Sequence, residues 1–405
     1  LAKQWKEYML FQSLDTKEKC VGIYQDGKLS YQPKYEELTK TWGYSSFLRD
    51  KPIEYASLYC NGKAIEEVCP ESLKEDWGKI SSRLRAFLIS FREAKIDLDE
   101  NCFFDLVPER FLMEFCEVKN QITEYVFDSH IKPKNYNFLY DLTQLVDDMS
   151  YTKLNTDLSV LRSDMAQFKV RQFIKKIKKV QPCVKYNIFG TKTGRLTTKK
   201  NSFPILTLDK DYRKILKPNN DWFVEFDYNA AELRTLLGLL EKEQPIGDLH
   251  DWNAKHVYQS SHTREEAKKR IFSWLYNPAH KDYLSSRAYD RDSVVQKYYN
   301  QGQVSTFFDR TIPADDHHAL NYIIQSTCSD LILRQALKVN KLLAGTKTRI
   351  AFMIHDSIVL DMSTEEESRL NEILKTFADT CFGTFETNVK AGKNFGDMKR
   401  LWIHS

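Results

Sequence analysis

A chain of 405 residues with 42% apolar side chains is long enough to bury more than one core. Its formal charge of +4 is too small for a protein whose whole surface binds a polyanion, so any such site must come from local clustering. No run reaches the roughly 18 apolar residues of a membrane span, no charged-then-apolar leader opens the chain, and the eight cysteines form no Cys-x-x-Cys pair or zinc quartet, which points to reduced thiols in an intracellular protein.

The chain opens on Leu1 rather than Met, as a segment cut from a longer protein would. Cys20–Tyr31 is predicted to be a hairpin, because Asp26-Gly27 supplies the positive φ of a tight turn between two β-prone runs. From Glu75 the pattern is helical, with Leu84, Phe87, Leu88 and Phe91 at helical spacing, and Glu109–Asp128 lines up Phe111, Phe115, Val118, Ile122 and Val126. Ile131–Asn137 is a basic, aromatic loop, either a phosphate contact or a solvated turn. Leu139–Met149 and Leu158–Phe168 complete a helical region over residues 75–170.

Arg171–Val180 then brings four lysines among Ile174, Ile177 and Val180, followed by the strand-like Val184–Phe189. Thr191–Lys200 is a glycine-bearing turn crowded with hydroxyls and cations, able to contact phosphates or to sit in solvent. Phe223–Phe226 should bury a strand, yet Asp227 continues it, and a buried carboxylate needs a cation or a donor set. A metal ion would meet that need; so would an N-cap role ahead of Ala230–Leu240.

Arg264, Lys268, Phe272 and Tyr276 recur every fourth residue, so on a helix they share one broad face. Two cations followed by two rings suit a triphosphate and a base, and an ordinary amphipathic helix also fits. Residues 277–316 are polar and tyrosine-rich without an assigned role. Ala319–Leu343 is predicted to be one long helix interrupted by Asn321, Gln325 and Ser329, and Thr348–Met362 reads as strand, His355-Asp356 tip, strand. That tip delivers a second carboxylate.

Asp227-Tyr228-Asn229-Ala230-Ala231-Glu232-Leu233-Arg234 resembles the first motif of family A DNA polymerases, the bacterial polymerase I type. Arg264-x-x-x-Lys268-x-x-x-Phe272-x-x-x-Tyr276 is similar to that family's fingers helix, and Ile354-His355-Asp356-Ser357 to its third motif. Thr193-Gly194-Arg195-Leu196 looks like its primer-template loop, and Asn321-x-x-x-Gln325 like its amide pair. All five stand in the family's order. The likeness runs from about Glu75, where Phe91–Asp97 matches the start of the polymerase region, to the C-terminus. No acidic exonuclease motif is visible in residues 1–75, so proofreading gains no support.

The resemblance implies an α+β, right-hand architecture with an antiparallel-sheet palm, helical fingers and a helical thumb. Its divisions would be residues 1–75 of unknown role, 76–170 with the thumb, 171–236 and 319–405 as the two parts of the palm, and 237–318 as the fingers. It implies a divergent, compact enzyme, of viral or other source, that extends a primer 3′-OH with dNTPs by a two-metal mechanism. Asp227, Asp356 and the Tyr228 carbonyl would hold two Mg²⁺ ions, with Mn²⁺ as substitute. Arg264, Lys268 and His250 would bind the triphosphate, Phe272 and Tyr276 would stack on the bases, and Glu232 would exclude a 2′-hydroxyl. Arg195, Asn321, Gln325 and His355 would touch primer-template DNA. Residues 1–75 would be open to a replisome partner, and no membrane is implied. Ser273 and Ser357 depart from the family's usual glycine and glutamate, residues 201–204 depart from its pattern, and the short Tyr276–Asn321 connection implies trimmed fingers. A single-subunit RNA polymerase shares the fingers spacing and the His-Asp-Ser motif but lacks Glu-Leu-Arg, and a nucleic-acid-binding protein without catalysis would not need both carboxylates.

Overall fold

The computed structural model describes residues 9–15, 21–31, 38–49, 51–96, 98, 101–277 and 279–401. The chain divides into two compact units, Leu1–Gln144 and Leu145–Ser405.

In the first unit, β1 (Gln12–Asp15), β2 (Val21–Gln25) and β3 (Lys28–Ser30) form an antiparallel sheet in sequence order. The predicted turn is present, with Asp26 at φ 47° and Gly27 at φ 75°, the left-handed pair that a two-residue hairpin demands; Cys20 lies outside the described residues. Helices α1 (Lys74–Glu93) and α2 (Glu109–Ser129) fall where the periodicity placed them, and Asp97 lies outside the described residues. Phe87 and Phe111 meet with ring centres 5.0 Å apart. Leu14 and Tyr24 share one core with Ile80, Phe91, Phe111, Leu112 and Cys116. The β1–β3 strands are thus built into the same apolar cluster as the helices that follow. Lys132, the basic residue of the predicted 131–137 loop, is ion-paired with Glu54 and lies over the Tyr136 ring. Helix α3 (Tyr136–Tyr151) begins inside that stretch, and the division between units falls after Gln144.

In the second unit the stretch 158–168 departs from expectation. Leu158–Asp164 forms 3₁₀ turns, and the α-helix starts only at Phe168 and runs to Ile177. The cause is local: the Asp157 carboxylate accepts from both the backbone and the hydroxyl of Ser159, the competition that keeps Ser and Asp out of helix interiors. Only Tyr186–Asn187 of the predicted 184–189 strand is paired, with Thr197–Thr198. Asn187 Oδ1 takes the Phe189 N–H at 3.0 Å and ends the ladder.

The core of this unit is an antiparallel sheet of five strands. They are β4 (Trp222–Tyr228), β8 (Arg349–Ile354), β9 (Ser357–Met362), β10 (Thr387–Gly392) and β11 (Lys399–Leu401), in spatial order β8-β9-β4-β10-β11. Between β4 and β8 the chain forms α4 (Ala231–Leu239), α5 (Leu249–Trp252) and α6 (Arg264–Tyr276). It continues through a small sheet of β5 (Tyr299–Asn300), β6 (Gln303–Ser305) and β7 (Thr311–Pro313), and then α7 (Ala319–Leu342). Helix α8 (Leu370–Ala378) follows β9.

Strand β4 is central in the sheet and buried along most of its length, with Trp222, Val224, Phe226 and Tyr228 on one face. Phe226 and Tyr228 pack on Phe377 of α8, Tyr228 stacked at 4.3 Å. Phe223 meets Phe352 and Phe395. The two-residue period then puts Glu225 and Asp227 on the Phe223 side. No described helix is long and apolar enough to cross a membrane. Cys60, Cys69, Cys116, Cys183 and Cys328 are buried free thiols and Cys381 an exposed one; Cys102 is disulfide-bonded, so the expectation of thiols throughout does not hold.

Candidate active site

Two neighbouring strands bring the carboxylates together. Asp227 is directly opposite Ser357 in the β4–β9 ladder, and Asp356 precedes Ser357 in the two-residue tip that joins β8 to β9. Ile354 and Ser357 pair across that tip, the Ser357 hydroxyl donates to the Ile354 carbonyl at 3.0 Å, and His355 takes the left-handed backbone at φ 49°. Ala230, after Asp227, is also left-handed at φ 54° and is the N-cap of α4 without a side-chain hydrogen bond. Asp227 is therefore not the helix cap. A left-handed non-glycine residue costs on the order of 1 kcal/mol; His355 adjoins Asp356, and Ala230 follows Asp227 by three positions.

Among the described residues neither carboxylate has a hydrogen-bond or ion-pair partner, and no group of three His, Cys, Asp or Glu side chains could by itself enclose a metal. Burial, reinforced by the charges of Glu225 and Asp356, pushes Asp227 up to about 7, against the opposing pull of Lys390. Burial and Glu232 raise Asp356, opposed by Arg195 and His355. Two unpaired, partly desolvated carboxylates at adjacent sheet positions are a site short of positive charge.

That shortage has a measurable sign. The folded-state value of Asp227 lies above its ordinary 3.8, so this acid adds stability below about pH 4 that is lost as pH rises to about 7. In metal-free protein, the stability of wild type relative to Asp227→Asn should fall between pH 5 and 7, with a slope of up to about 1.4 kcal/mol per unit. Urea unfolding of both proteins at the two pH values checks this; equal pH dependence would refute it.

A cleft of about 290 Å³ joins the acids to the helices that follow β4. It is lined by Asp227, Tyr228, Glu232, Asp356 and Asn388, and by His250, Arg264, Lys268 and Phe272. Helix α6 starts with a Thr263–Glu266 capping box, and Arg264, Lys268 and Phe272 of its every-fourth-residue row line the cleft. Tyr276, one turn beyond Phe272 and stacked on it with rings 6.0 Å apart, donates its hydroxyl to Glu232. Glu232 also receives Arg195 at 2.5 Å. Arg195, His355 and Asp356 line an adjoining cavity together with Ser329 of α7. Asn321 and Gln325 lie two turns and one turn before Ser329 on α7. They line neither cavity, and the Asn321 Oδ1 is buried without a partner among the described residues. The Tyr228 hydroxyl is bonded to the Phe377 carbonyl.

Several residues that organise the cleft carried no role in the sequence. Asn229 accepts from the Leu249 N–H at 2.8 Å and donates to Asp248 at 2.7 Å. Asp248 caps α5 through His250 N–H and Asp251 N–H and receives Arg264 at 2.7 Å. Burial alone would raise this acid, but Arg264, the Asp251 N–H and Asn229 hold it down at about 2. Arg264 thus reaches the cleft already ion-paired, also to exposed Glu265. His250 is 4% exposed with Nδ1 unpartnered among the described residues, and burial pulls it down to about 4, so the ring is neutral at pH 7. Arg234, fully buried, donates to the carbonyls of Asn229, Pro245 and Gly247. A cation in the apolar run Ala231–Leu239 was the visible signal for it; Asp248 offered only a cap pattern before His250.

No protein-family model matches the chain. It is 21% identical to DNA polymerase I of Borreliella burgdorferi over 85% of this chain and 48% of that protein. It is 25% identical to a DNA polymerase of Bacillus phage SP01 over 52% of this chain and 31% of that one. The chain therefore spans about half or less of these relatives' lengths. Among solved structures it is similar to the POL domain of Pol1 from M. smegmatis in complex with DNA primer-template and dNTP, with a TM-score of 0.66 at 12% identity, covering 97% of this chain and 96% of that one. The α+β polymerase fold is shared with that domain over nearly the whole chain, and the sequence relatives are DNA polymerases.

Proposed function

We propose that the chain is a template-directed DNA polymerase that adds dNTPs to a primer 3′-OH. The observation that carries this reading is the convergence, in one cleft, of two unpartnered carboxylates with Arg264, Lys268, His250 and the Phe272 ring. Hard carboxylate oxygens on two strands, too few to enclose an ion, suit Mg²⁺, which keeps water and phosphate oxygens in its shell. When bound, such ions activate the 3′-hydroxyl and neutralise the leaving pyrophosphate. Asp227 and Asp356 would hold them, with Mn²⁺ as a substitute and the Tyr228 carbonyl as a further ligand.

The protein's own part is positioning and charge. Lys268 is exposed at the cleft and meets the triphosphate as a point charge, and Arg264 exchanges its contact with exposed Glu265 for a phosphate oxygen. Neutral His250 offers a ring nitrogen without desolvating a second charge. Phe272 and Tyr276 form the stacking wall. Arg195 and His355 reach the primer-template end beside Asp356, and Asn321 and Gln325 lie further along α7.

Glu232, fixed from two sides by Arg195 and Tyr276, acts as a sugar filter. Glu232→Ala should raise ribonucleotide incorporation relative to deoxynucleotide by about 10- to 100-fold, read from kcat/KM for matched dNTP and NTP; an unchanged ratio would remove the filter role. Primer extension with Mg²⁺ and dNTPs tests the whole reading. Extension with NTPs alone would favour an RNA polymerase, and no extension on any template would overturn both.

A further inference from the structure

The small sheet β5–β7 and the Thr193-Gly194-Arg195 turn are far apart in sequence, yet one buried ion pair joins them. Arg310 lies in the turn between β6 and β7, closed by Thr306 N–H to the Arg310 carbonyl at 2.9 Å and Arg310 N–H to Thr306 Oγ1 at 3.1 Å. Its guanidinium grips Asp330 of α7 with both prongs, Nε to Oδ2 at 3.1 Å and Nη2 to Oδ1 at 2.7 Å. Asp330 is fully buried and the Arg310 side chain 13% exposed. Such a fork is rigid because two parallel bonds fix the plane.

Gly194 rests on that plane. A Cβ there would lie 2.6 Å from Arg310 Nη2, 2.7 Å from Cζ and 3.0 Å from Nε. The residue is left-handed at φ 76°, so glycine is required both for its backbone and for its contact. The next residue, Arg195, has its carbonyl held by the Thr191 hydroxyl at 2.9 Å and its side chain held by Glu232 at 2.5 Å. An unbroken series of contacts therefore runs from Asp330 through Arg310, Gly194, Arg195 and Glu232 to Tyr276 on α6.

We propose that Arg310, clamped by Asp330, is the positioning residue for the Gly194-Arg195 turn, and that the β5–β7 sheet serves the cleft by holding this guanidinium in place. The inference rests on the reading of Arg195 as a primer-template contact. A lysine at 310 keeps the charge that Asp330 needs but loses the flat seat, so Arg310→Lys separates positioning from burial of an unpaired acid. Gly194→Ala disturbs the seat from the other side and removes no charge.

The test is a double-mutant cycle on primer-template Kd by fluorescence anisotropy and on kcat and KM for the next dNTP, with Arg195→Ala, Arg310→Lys and the pair. Arg310→Lys and Gly194→Ala should each weaken primer-template binding by about tenfold, and Arg310→Lys should add little once Arg195 is alanine, because coupled neighbours are not additive. If Arg195→Ala weakens binding and Arg310→Lys multiplies that loss in full, the positioning role falls while the reading of Arg195 stands. If Arg195→Ala has no effect, both fall. If Arg310→Lys does not fold, Gly194→Ala decides: wild-type binding by that variant overturns the proposal.

Discussion

Replacing either Asp227 or Asp356 by asparagine should reduce primer extension by on the order of 10³-fold or more, with the fold intact. The loss follows from charge rather than shape. Asparagine is nearly isosteric with aspartate, and neither carboxylate supports a hydrogen bond or ion pair among the described residues, so nothing structural depends on its charge. The β4–β9 ladder that places Asp227 opposite Ser357 is made by backbone groups and survives the change. What disappears is half of the anionic pair that would bind divalent cations at the reacting oxygens, and loss of a single electrostatic group aimed at developing charge already costs about 10²–10³. Asp227→Asn should also be at least as stable as wild type in metal-free protein at pH 7, because it removes a carboxylate that burial pushes up to about 7. Gel-based extension with excess Mg²⁺ and circular dichroism on the same samples check both halves. Near-normal extension by either variant would remove that residue from the site.

Arg234→Ala should have the largest effect on stability, about 3 kcal/mol or more. Its guanidinium is fully buried and supplies donors to three carbonyls, at 2.9, 3.0 and 2.6 Å, and charged hydrogen bonds contribute about 1.5–3 kcal/mol each when their partners are left unsatisfied. Burial lowers the Arg234 proton affinity, but an arginine stays charged, so the site accepts a buried cation to tie residues 245–247 to the end of β4. Those residues lead into Asp248 and His250. Arg234→Lys retains the charge without the planar fork and should fall between wild type and alanine. Urea unfolding measures the ranking, and the KM for dNTP should rise in the lysine variant as the Asp248–His250 turn loses its anchor. A stability change under 1 kcal/mol for alanine would show that the three bonds are replaced by water.

Much of this site was legible because its periodicities are local. The apolar run Phe223–Phe226 marked β4 and the acid that continues it, and a four-residue row on α6 marked which of its side chains share a surface. The first unit was less legible. The β1–β3 strands carry no chemistry, and their inclusion in one apolar core with α1 and α2 depends on Leu14 and Tyr24 meeting helices about 55 to 100 residues later, a pairing that no local pattern encodes. The stretch 158–168 misled because helical spacing of apolar residues coexists with Ser and Asp side chains that bind their own backbone.

The sequence by itself determined which residue types stand at which spacing: an acid ending an apolar strand, a second acid at a hairpin tip, and two cations and two rings along one helix. Spacing along a strand or helix is a property of the backbone, so it needs no knowledge of the rest of the chain. Only the tertiary structure decided what each group touches. It paired Arg264 with Asp248, fixed Glu232 between Arg195 and Tyr276, and set Gly194 on the Arg310–Asp330 clamp. It also left Asp227 and Asp356 on neighbouring strand and tip positions without a hydrogen-bond or ion-pair partner among the described residues. Contacts between residues tens of positions apart depend on how whole elements pack, and that packing sets the acid at the end of β4 beside the acid at the β8–β9 tip.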